Sequence, residues 1–524
     1  MSIAKRVIKN TGFLYLKMGV TVFISMYSTR LILASLGASD FGIFNIVGGA
    51  IGMLGFLNST LANATQRFMS YAEGEGNVNK KIKIFNVSIC LHFFVAIITA
   101  ILLLLAMLPL FNGILNIEPE RVASAKIIYL CLIFSTMLTI INVPYDAVMN
   151  AHENMLYYSI IGIFASLLHL GVAYACVYSS GDKLIVYGVL MAVIPLITLT
   201  IMKIYCHRKY KECVLHPRKY WDIEIVKRIS SFSGWNFLTA VSSLFSAQGI
   251  GLVLNHFWGT RLNAAQGVAH QLNGQLSSFS ITMLKALNPI IVKNAGARDI
   301  ISMNNITIAG CKFSCLLIAF FAIPFILEMP FILQIWLKEI PKWTIAFCEF
   351  QLIHTLVCQI ANPIATAVYA QGDIKEYAIW KSVMNIAPVI VTYVCFLNGA
   401  SPVWLYVPMI IIWGIGGDIV IIHYARIKCK LPVMTYFKSG VLPVFIICFI
   451  MFLIGFIPHL ILDESFSRLI VCSLLTSISL LISSWIWGLN SSERLIVYGV
   501  IDKFKKEKRV FRVVDFIFQS RKRH

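Results

Sequence analysis

Residues 11–36 of the chain read TGFLYLKMGVTVFISMYSTRLILASL, and this stretch decides the fold class. It is apolar and long enough to cross a membrane, since about 20 apolar residues span the bilayer core as a helix. Lys17 and Arg30 lie inside it without an acidic residue, and ionisable groups inside spans mark candidate functional sites. Two positive charges without a carboxylate predict an anionic substrate. The alternative is that Lys17 extends to the cytoplasmic surface and Arg30 pairs with an acid of another span.

Similar apolar runs recur along almost the whole chain of 524 residues, of which 58% are hydrophobic and 13% are charged. This composition excludes a soluble domain and is typical of a polytopic helical membrane protein. We therefore predict an all-α fold with about 14 transmembrane helices, and a first span that is retained because no small-residue cleavage site follows it. The predicted spans are residues 11–36, 42–66, 84–109, 122–148, 156–179, 184–205, 230–256, 262–288, 305–327, 343–369, 376–397, 403–424, 440–462 and 466–488.

The formal net charge of +20 follows this topology and does not indicate a nucleic-acid partner. If the N-terminus is cytoplasmic, about 32 of the 44 Lys and Arg residues face the cytoplasm, as the positive-inside rule requires. An even number of spans then places both termini in the cytoplasm. The tail at residues 491–524 mixes basic and apolar residues, which predicts an amphipathic helix on anionic membrane lipid.

Short motifs recur in the chain at a nearly constant spacing of 219 to 222 residues, which indicates an internal repeat. Chance similarity is the alternative, because short motifs produce false matches. The matched pairs are Pro144 and Pro363, Ala151 and Ala370, Tyr158 and Tyr377, Gly37 and Gly259, Gly52 and Gly274, and Gly74 and Gly296.

A repeat of six spans predicts two parallel six-helix lobes followed by two C-terminal helices, because six spans return the chain to its starting side. Parallel repeats of this kind are a transporter architecture, with the substrate site between the lobes and alternating access by rocking. The predicted divisions are an N-lobe at residues 1–205, a cytoplasmic linker at 206–229, a C-lobe at 230–424, spans 13 and 14 at 425–490, and a cytoplasmic tail at 491–524.

Polar residues follow one face of span 2 and one face of span 8, which occupy corresponding positions in the two lobes. Because polar groups in hydrocarbon need partners, these stripes predict a cavity; packing between helices is the alternative. A histidine in the second stripe could titrate near neutral pH or simply be hydrogen-bonded. Together with the cations, the candidate substrate-binding residues are Lys17, Arg30, Asn63, Gln66, Arg67, Gln266, His270, Asn273 and Lys285.

Acidic residues are few inside the predicted spans. Asp146 and Glu349 are candidates for binding a coupling proton or Na⁺, and the alternative is salt bridging, with Arg30 or Arg67 as partners of Asp146. Asp418 is assigned to a salt bridge. The sequence contains no nucleophile–base motif, phosphate loop or metal-ligand spacing, and its 13 cysteines lack a CxxC motif, so we predict neither an enzyme nor a metal or other cofactor.

Three segments resemble the polysaccharide transporter branch, the Wzx-type O-antigen flippases, of the multidrug/oligosaccharidyl-lipid/polysaccharide exporter superfamily. They are RLILASLGASDFG at residues 30–42, ATQRF at 64–68 and PYDAVMNAHE at 144–153. The resemblance implies translocation of an undecaprenyl-diphosphate-linked oligosaccharide from the inner to the outer leaflet of the bacterial cytoplasmic membrane. It also implies a cationic cavity for the diphosphate, and the polysaccharide polymerase machinery is a possible partner.

Three alternatives stay open. A peptidoglycan-precursor flippase shares the 14 spans and the cationic cavity. A cation-coupled multidrug antiporter of the same superfamily is expected to carry acids in the lobe cavities, whereas spans 1, 2, 7 and 8 carry none. A membrane oligosaccharide polymerase is expected to have a large outward loop with arginines, which this chain does not show.

Overall fold

The computed structural model describes residues 3–52, 54–115, 117–337, 339–491, 493–495 and 498, and the regular structure within them is helical. Apolar runs require helices, because a helix pairs its backbone N–H and C=O groups internally where lipid offers no partner. The helices are α1 (Ile3–Gly52), α2 (Gly55–Glu75), α3 (Val78–Pro109), α4 (Val122–Ala151), α5 (Met155–Tyr178), α6 (Lys183–Lys209), α7 (Pro217–Tyr220), α8 (Ile223–Trp258), α9 (Thr260–Gly296), α10 (Ile300–Leu327), α11 (Met329–Trp336), α12 (Thr344–Gln359), α13 (Asn362–Ala370), α14 (Lys375–Leu397), α15 (Tyr406–Pro408), α16 (Gly417–Cys429), α17 (Val433–Tyr436), α18 (Leu442–Ile461) and α19 (Phe466–Ser483).

Twelve helical segments of the described residues are long and apolar enough to cross a membrane, and a bent pair raises the number to 13. The prediction of an all-α membrane fold is confirmed, and the predicted number of about 14 spans is approximate. The predicted span at residues 262–288 lies in α9, whose 37 residues are long enough to cross a bilayer at about 1.5 Å per residue. Because its polar side chains lower its mean hydropathy, α9 is not among the twelve apolar segments. These side chains are accommodated because α9 packs against α2, α10 and α12.

The second predicted span, residues 42–66, is bent in the structure. Its two parts, Ser39–Gly52 and Leu57–Glu75, meet at an angle of 55°. Gly48, Gly49 and Gly52 precede the bend. Glycine in a helix interior costs about 1 kcal/mol relative to alanine, so the helix breaks where glycines accumulate.

The helices associate in two groups and a C-terminal hairpin. In the first group α1 packs on α5 and α4 on α6, and in the second α8 packs on α14 and α9 on α10. We call α1–α6 the N-group and α8–α16 the C-group. Helix α2 runs along both α8 and α9, so the two groups meet there. The hairpin of α18 and α19 packs against α10.

The backbone repeats unusual conformations at the spacing of the sequence motifs. Gly37 and Gly259, which are 222 residues apart, have φ of 78° and 77° and ψ of 170° and −176°. This region of conformational space is essentially restricted to glycine. Glu153 and Gly372, 219 residues apart, both have positive φ, of 56° and 89°. The structure therefore gives the predicted internal repeat independent support.

Basic loops collect at one end of the bundle, which we call the basic end. Ion pairs join these loops to each other: Lys83 lies 3.0 Å from Asp222, and Lys428 lies 2.8 Å from Asp373. The positive-inside rule predicts that the basic end is cytoplasmic. This orientation, like the division into two lobes, stays a prediction.

The C-terminal hairpin is held on the C-group by buried charges. Glu328, at the break between α10 and α11, is fully buried, and Arg468 of α19 lies 3.2 Å from its carboxylate. Lys312 of α10 donates hydrogen bonds to the Gly488 carbonyl at 2.7 Å and to Glu493 at 2.6 Å. The predicted amphipathic tail lies largely outside the described residues, which reach only to residue 498.

Candidate functional site between the two helix groups

Two lysines from opposite helix groups converge on one aromatic ring. Lys17 of α1 and Lys285 of α9 place their ammonium nitrogens 4.3 and 4.1 Å from the ring centroid of Tyr158 on α5. Lys285 also donates a hydrogen bond to the Tyr158 hydroxyl. Gly162, one turn further along α5, leaves room for the Lys17 side chain, which a β-carbon there would meet. The site therefore presents two positive charges at a junction of the N-group and the C-group.

Asp146 supplies negative charge to the same site. Its half-buried carboxylate on α4 interacts electrostatically with Lys285 and Lys17, and Asn142 donates a hydrogen bond to it at 3.3 Å. The sequence suggests Arg30 or Arg67 as the partner of Asp146, but in the structure the charges that act on this carboxylate are those of Lys285 and Lys17. Arg30 lies 13 residues beyond Lys17 on α1, about 20 Å further along the helix.

Arg67 lies at the end of a cavity between the groups. The cavity has a volume of about 240 Å³, and Asn63 and Gln66 line it, as the polar face of span 2 predicts. Arg67 is 9% exposed, donates a hydrogen bond of 2.6 Å to the Ala370 carbonyl and stacks on Phe68, with 4.4 Å between guanidinium carbon and ring centroid. It also lines a second cavity of about 570 Å³, and so does Phe232, so the two spaces adjoin at these side chains.

The remaining candidate residues are not brought to the lysine site. The Arg30 side chain is exposed, and no ion pair or hydrogen bond joins it to another described residue. On α9, Gln266 is buried, His270 is exposed, and Asn273 accepts a hydrogen bond from Thr355 at 2.7 Å, inside the C-group. The predicted polar stripe of α9 is therefore divided. Gln266 and Asn273 lie in the interior of the C-group, whereas Lys285 lies at the junction of the two groups.

Glu349 lies on α12, in the C-group, whereas Asp146 lies in the N-group. Its side chain is half-buried and has no ion-pair or hydrogen-bond partner among the described residues. The two predicted coupling residues therefore belong to separate environments. A coupling role for either stays a prediction.

Sequence reasoning missed two contributors to the polar interior. Tyr158 was identified only as a repeat position, although its pairing with Tyr377 was a signal that could have directed attention to it. Lys381, a cation inside the predicted span 376–397, was overlooked. It interacts electrostatically with Asp418 across a cavity, and the two form no direct ion pair within 4.0 Å. The simple salt bridge expected for Asp418 is therefore not formed.

The two groups are clamped together at the basic end. Lys293 of α9 lies 3.7 Å from Glu73 and 3.6 Å from Glu153, both of the N-group. Beside this ion pair the backbones of α2 and α9 touch: a β-carbon at Gly74 would collide with the Lys293 carbonyl, and one at Gly296 with the Tyr71 carbonyl. The two groups are therefore held together at this end by charge and by close packing.

Glu73, His152 and Glu212 place possible metal-ligand atoms within 4.8 Å of one another. Their spacing in sequence gave no sign of this cluster. Lys81 lies 2.6 Å from Glu73 and 3.8 Å from Glu212, so an ammonium group already neutralises part of the acidic charge. This charge balance indicates an ion-pair network that ties the linker to α2 and α3.

This network predicts a pH-dependent stability. Burial raises the pKa of Glu212. Hydrogen bonds from His152 and from the backbone, together with the positive charge of Lys81, lower it by more, so the pKa lies below its ordinary value of 4.5. Such a carboxylate stabilises the fold above the unfolded-state pKa and loses that contribution as pH falls through the folded-state pKa. We expect Glu212→Gln to lower Tm at pH 7 and to match wild type under strongly acidic conditions.

Thermal unfolding in nanodiscs between neutral and acidic pH measures this. Glu224→Gln is the matched control, since the Glu224 side chain is 77% exposed beside Arg228 and exposed pairs contribute little. A Tm difference between Glu212→Gln and wild type that is unchanged by acidification would contradict the prediction.

Comparison with known proteins identifies the fold. The family model described as MatE matches residues 15–175. No curated protein matches the chain. A crystal structure of a proline-to-alanine mutant of a MATE protein gives a TM-score of 0.69 at 14% identity, covering 81% of this chain and 96% of that chain.

Two further solved structures agree. An outward-facing multidrug resistance MATE family transporter of the MOP superfamily gives a TM-score of 0.65 at 14% identity, over 81% of this chain and 96% of that one. A MOP superfamily transporter from Pyrococcus furiosus, whose pocket of reverse polarity suggests a different function, gives 0.64 at 15% identity, over 83% and 97%. The chain therefore has the fold of the MATE transporters of the MOP superfamily.

Proposed function

We propose that this protein is a membrane exporter that works by alternating access between the N-group and the C-group. The fold supports this, because the solved structures that share it include a multidrug resistance transporter in an outward-facing conformation. The contacts between groups support it as well, because Lys293, Gly74 and Gly296 close one end of the interface. Alternating access requires such a closure to open and re-form.

The substrate we propose is an undecaprenyl-diphosphate-linked oligosaccharide, moved from the inner to the outer leaflet of the bacterial cytoplasmic membrane. The observation that carries this proposal is the convergence of Lys17 and Lys285 on Tyr158 from opposite groups. A diphosphate is a strong acceptor for charge-assisted hydrogen bonds from ammonium groups. Asn63 and Gln66 of the neighbouring cavity would serve the sugar, and the lipid tail would stay in the bilayer between helices.

Asp146 is the coupling residue in this proposal. It balances part of the lysine charge when no substrate is bound, and a diphosphate entering the site would compete with it. Protonation of the carboxylate, or binding of Na⁺ to it, would remove that competition. The coupling would then act on the affinity of the site for its anion.

Export of drug-like molecules is the second candidate, and the comparisons favour it over the oligosaccharide. The family model is MatE, and one solved structure is described as a multidrug resistance transporter. A pocket for cationic drugs would use acids, and Asp146 is an acid beside the two lysines at the junction of the groups. The two lysines beside it are the feature that argues against a cationic substrate.

Reconstituted protein distinguishes these candidates. Proteoliposomes receive a fluorescent undecaprenyl-diphosphate disaccharide, a lipid-linked peptidoglycan precursor or ethidium, each under an imposed proton or Na⁺ gradient. We expect the diphosphate lipids to be translocated and ethidium to be left in place. Translocation of ethidium alone would establish the multidrug function and end the flippase proposal. A strong preference for the peptidoglycan precursor would assign the flippase to peptidoglycan synthesis and not to polysaccharide synthesis.

A further inference from the structure

The C-group contains a cavity of about 380 Å³, to which Asn273 alone of the candidate residues contributes. Residues of α8, α9, α12, α13, α14 and α16 line it, so it lies within the C-group and not between the groups. Tyr369 lines both this cavity and the one between the groups, so the two spaces adjoin at its side chain. The volume falls in the range of ligand pockets, about 300–1,000 Å³.

The wall of this cavity carries one charge of each sign. Lys381 of α14 and Asp418 of α16 are half-buried, and they attract each other without a direct ion pair. Gly417 provides space for the lysine, because a β-carbon there would meet the Lys381 ammonium. The formal charges of Lys381 and Asp418 are opposite and cancel. A wall of this kind disfavours an isolated anion or cation, because a buried ion needs an opposite charge that is not already engaged.

Several buried polar atoms of the same wall lack a partner. Gln351 Oε1, Gln359 Nε2 and Asn385 Oδ1 make no hydrogen bond within the described part of the chain, and their residues are 4, 6 and 1% exposed. Asn385 donates its amide hydrogens to Ser242 and Ser243 at 3.1 and 2.9 Å, which fixes the orientation of its side chain. In a membrane an unpaired polar group costs several kcal/mol. These three atoms have almost no accessible surface, so the hydrogen-bonding groups that face the cavity are other polar atoms of its lining.

We propose that the C-group cavity binds a neutral saccharide unit. A hydroxyl group donates and accepts at the same oxygen, so a polyhydroxyl ligand can pair with both donors and acceptors of the lining, Lys381 and Asp418 included. Trp413, whose ring centroid lies 5.7 Å from that of His354, adds an apolar face for the sugar ring. The assignment of this saccharide to the sugar part of the exported substrate rests on the proposed function; its binding to the cavity does not.

The test is direct binding of saccharides to the full-length protein in nanodiscs. Equilibrium dialysis and saturation-transfer NMR with N-acetylglucosamine, glucose and galactose measure affinity without transport. We expect saturable binding at one site and a loss of about five- to tenfold in affinity for Asn385→Leu and for Gln359→Leu, the effect of about one hydrogen bond. Thr392→Val is the matched control, because Thr392 is fully buried on α14 outside the cavity and should bind as wild type.

Thermal unfolding checks that the variants fold. If Asn385→Leu does not fold, the test rests on Gln359→Leu. The proposal is overturned if the three sugars show no saturable binding up to their solubility, or if both cavity variants bind as wild type. Tighter binding of glucose phosphate than of glucose would also overturn it, because the wall is neutral. Lys285→Met should reduce transport by one to two orders of magnitude and leave saccharide binding intact. Binding without any transport of the diphosphate lipid would remove the proposed function and leave this inference standing.

Discussion

Lys285→Met should reduce translocation of a diphosphate lipid by one to two orders of magnitude while the protein accumulates normally in the membrane. Methionine keeps the length and apolar stem of lysine but removes the charge that lies 4.1 Å from the Tyr158 ring centroid. A hydrogen bond to a charged group contributes about 1.5–3 kcal/mol, and about 1.4 kcal/mol corresponds to a tenfold change. Initial rates in proteoliposomes, normalised to protein, measure the loss.

The companion variants separate charge from packing. Lys285→Arg keeps the positive charge and should retain part of the rate. Lys17→Met should resemble Lys285→Met, since both ammonium groups face Tyr158. A wild-type rate for Lys285→Met at normal protein level would end the assignment of this site to an anionic substrate.

Gly296→Ala and Gly74→Ala should each nearly abolish transport of whatever substrate the protein carries. A β-carbon at Gly296 would overlap the Tyr71 carbonyl, and one at Gly74 would overlap the Lys293 carbonyl. Backbone atoms cannot move aside as a flexible side chain can, so α2 and α9 must separate and the basic end cannot close. Gly267→Ala is the matched control on α9, because a β-carbon at Gly267 meets nothing within 4 Å.

Transport rates give the first measurement, and labelling gives the second. Ser70 is fully buried and lines the cavity between the groups, so a cysteine introduced there reports access from the basic end. We expect Ser70→Cys to react with an impermeant thiol reagent faster in the Gly296→Ala background than alone. Equal labelling together with normal transport would show that closure at Gly296 is not needed for the cycle.

The fold could be predicted from sequence because the membrane imposes one local solution on each apolar run. The repeat was also accessible, since positions such as Gly37 and Gly259 need a backbone that glycine alone adopts readily. The bend near Gly52 was missed because the prediction used hydropathy, which the glycines of this segment do not lower enough to interrupt the run.

The site could be predicted only in part. Lys17, Lys285 and Asp146 were identified singly, because a charge inside a span stands out against apolar neighbours. Their association depends on which faces of α1, α4, α5 and α9 meet, and Lys285 and Tyr158 are 127 residues apart. Lys381 lay in a similarly apolar setting, but its significance depends on Asp418 and on a cavity that only the packed C-group creates.

The position of Arg67 has a consequence for the energetics of the cell. An exporter must carry its substrate without letting the membrane's electrochemical gradient leak away through the same path. Arg67 places a permanently charged guanidinium, which donates to the Ala370 carbonyl, where the space at the basic end adjoins the cavity between the groups. A fixed positive charge at a constriction repels protons and metal cations electrostatically. If the proposed export path runs through these two cavities, Arg67 therefore opposes leakage of cations along it.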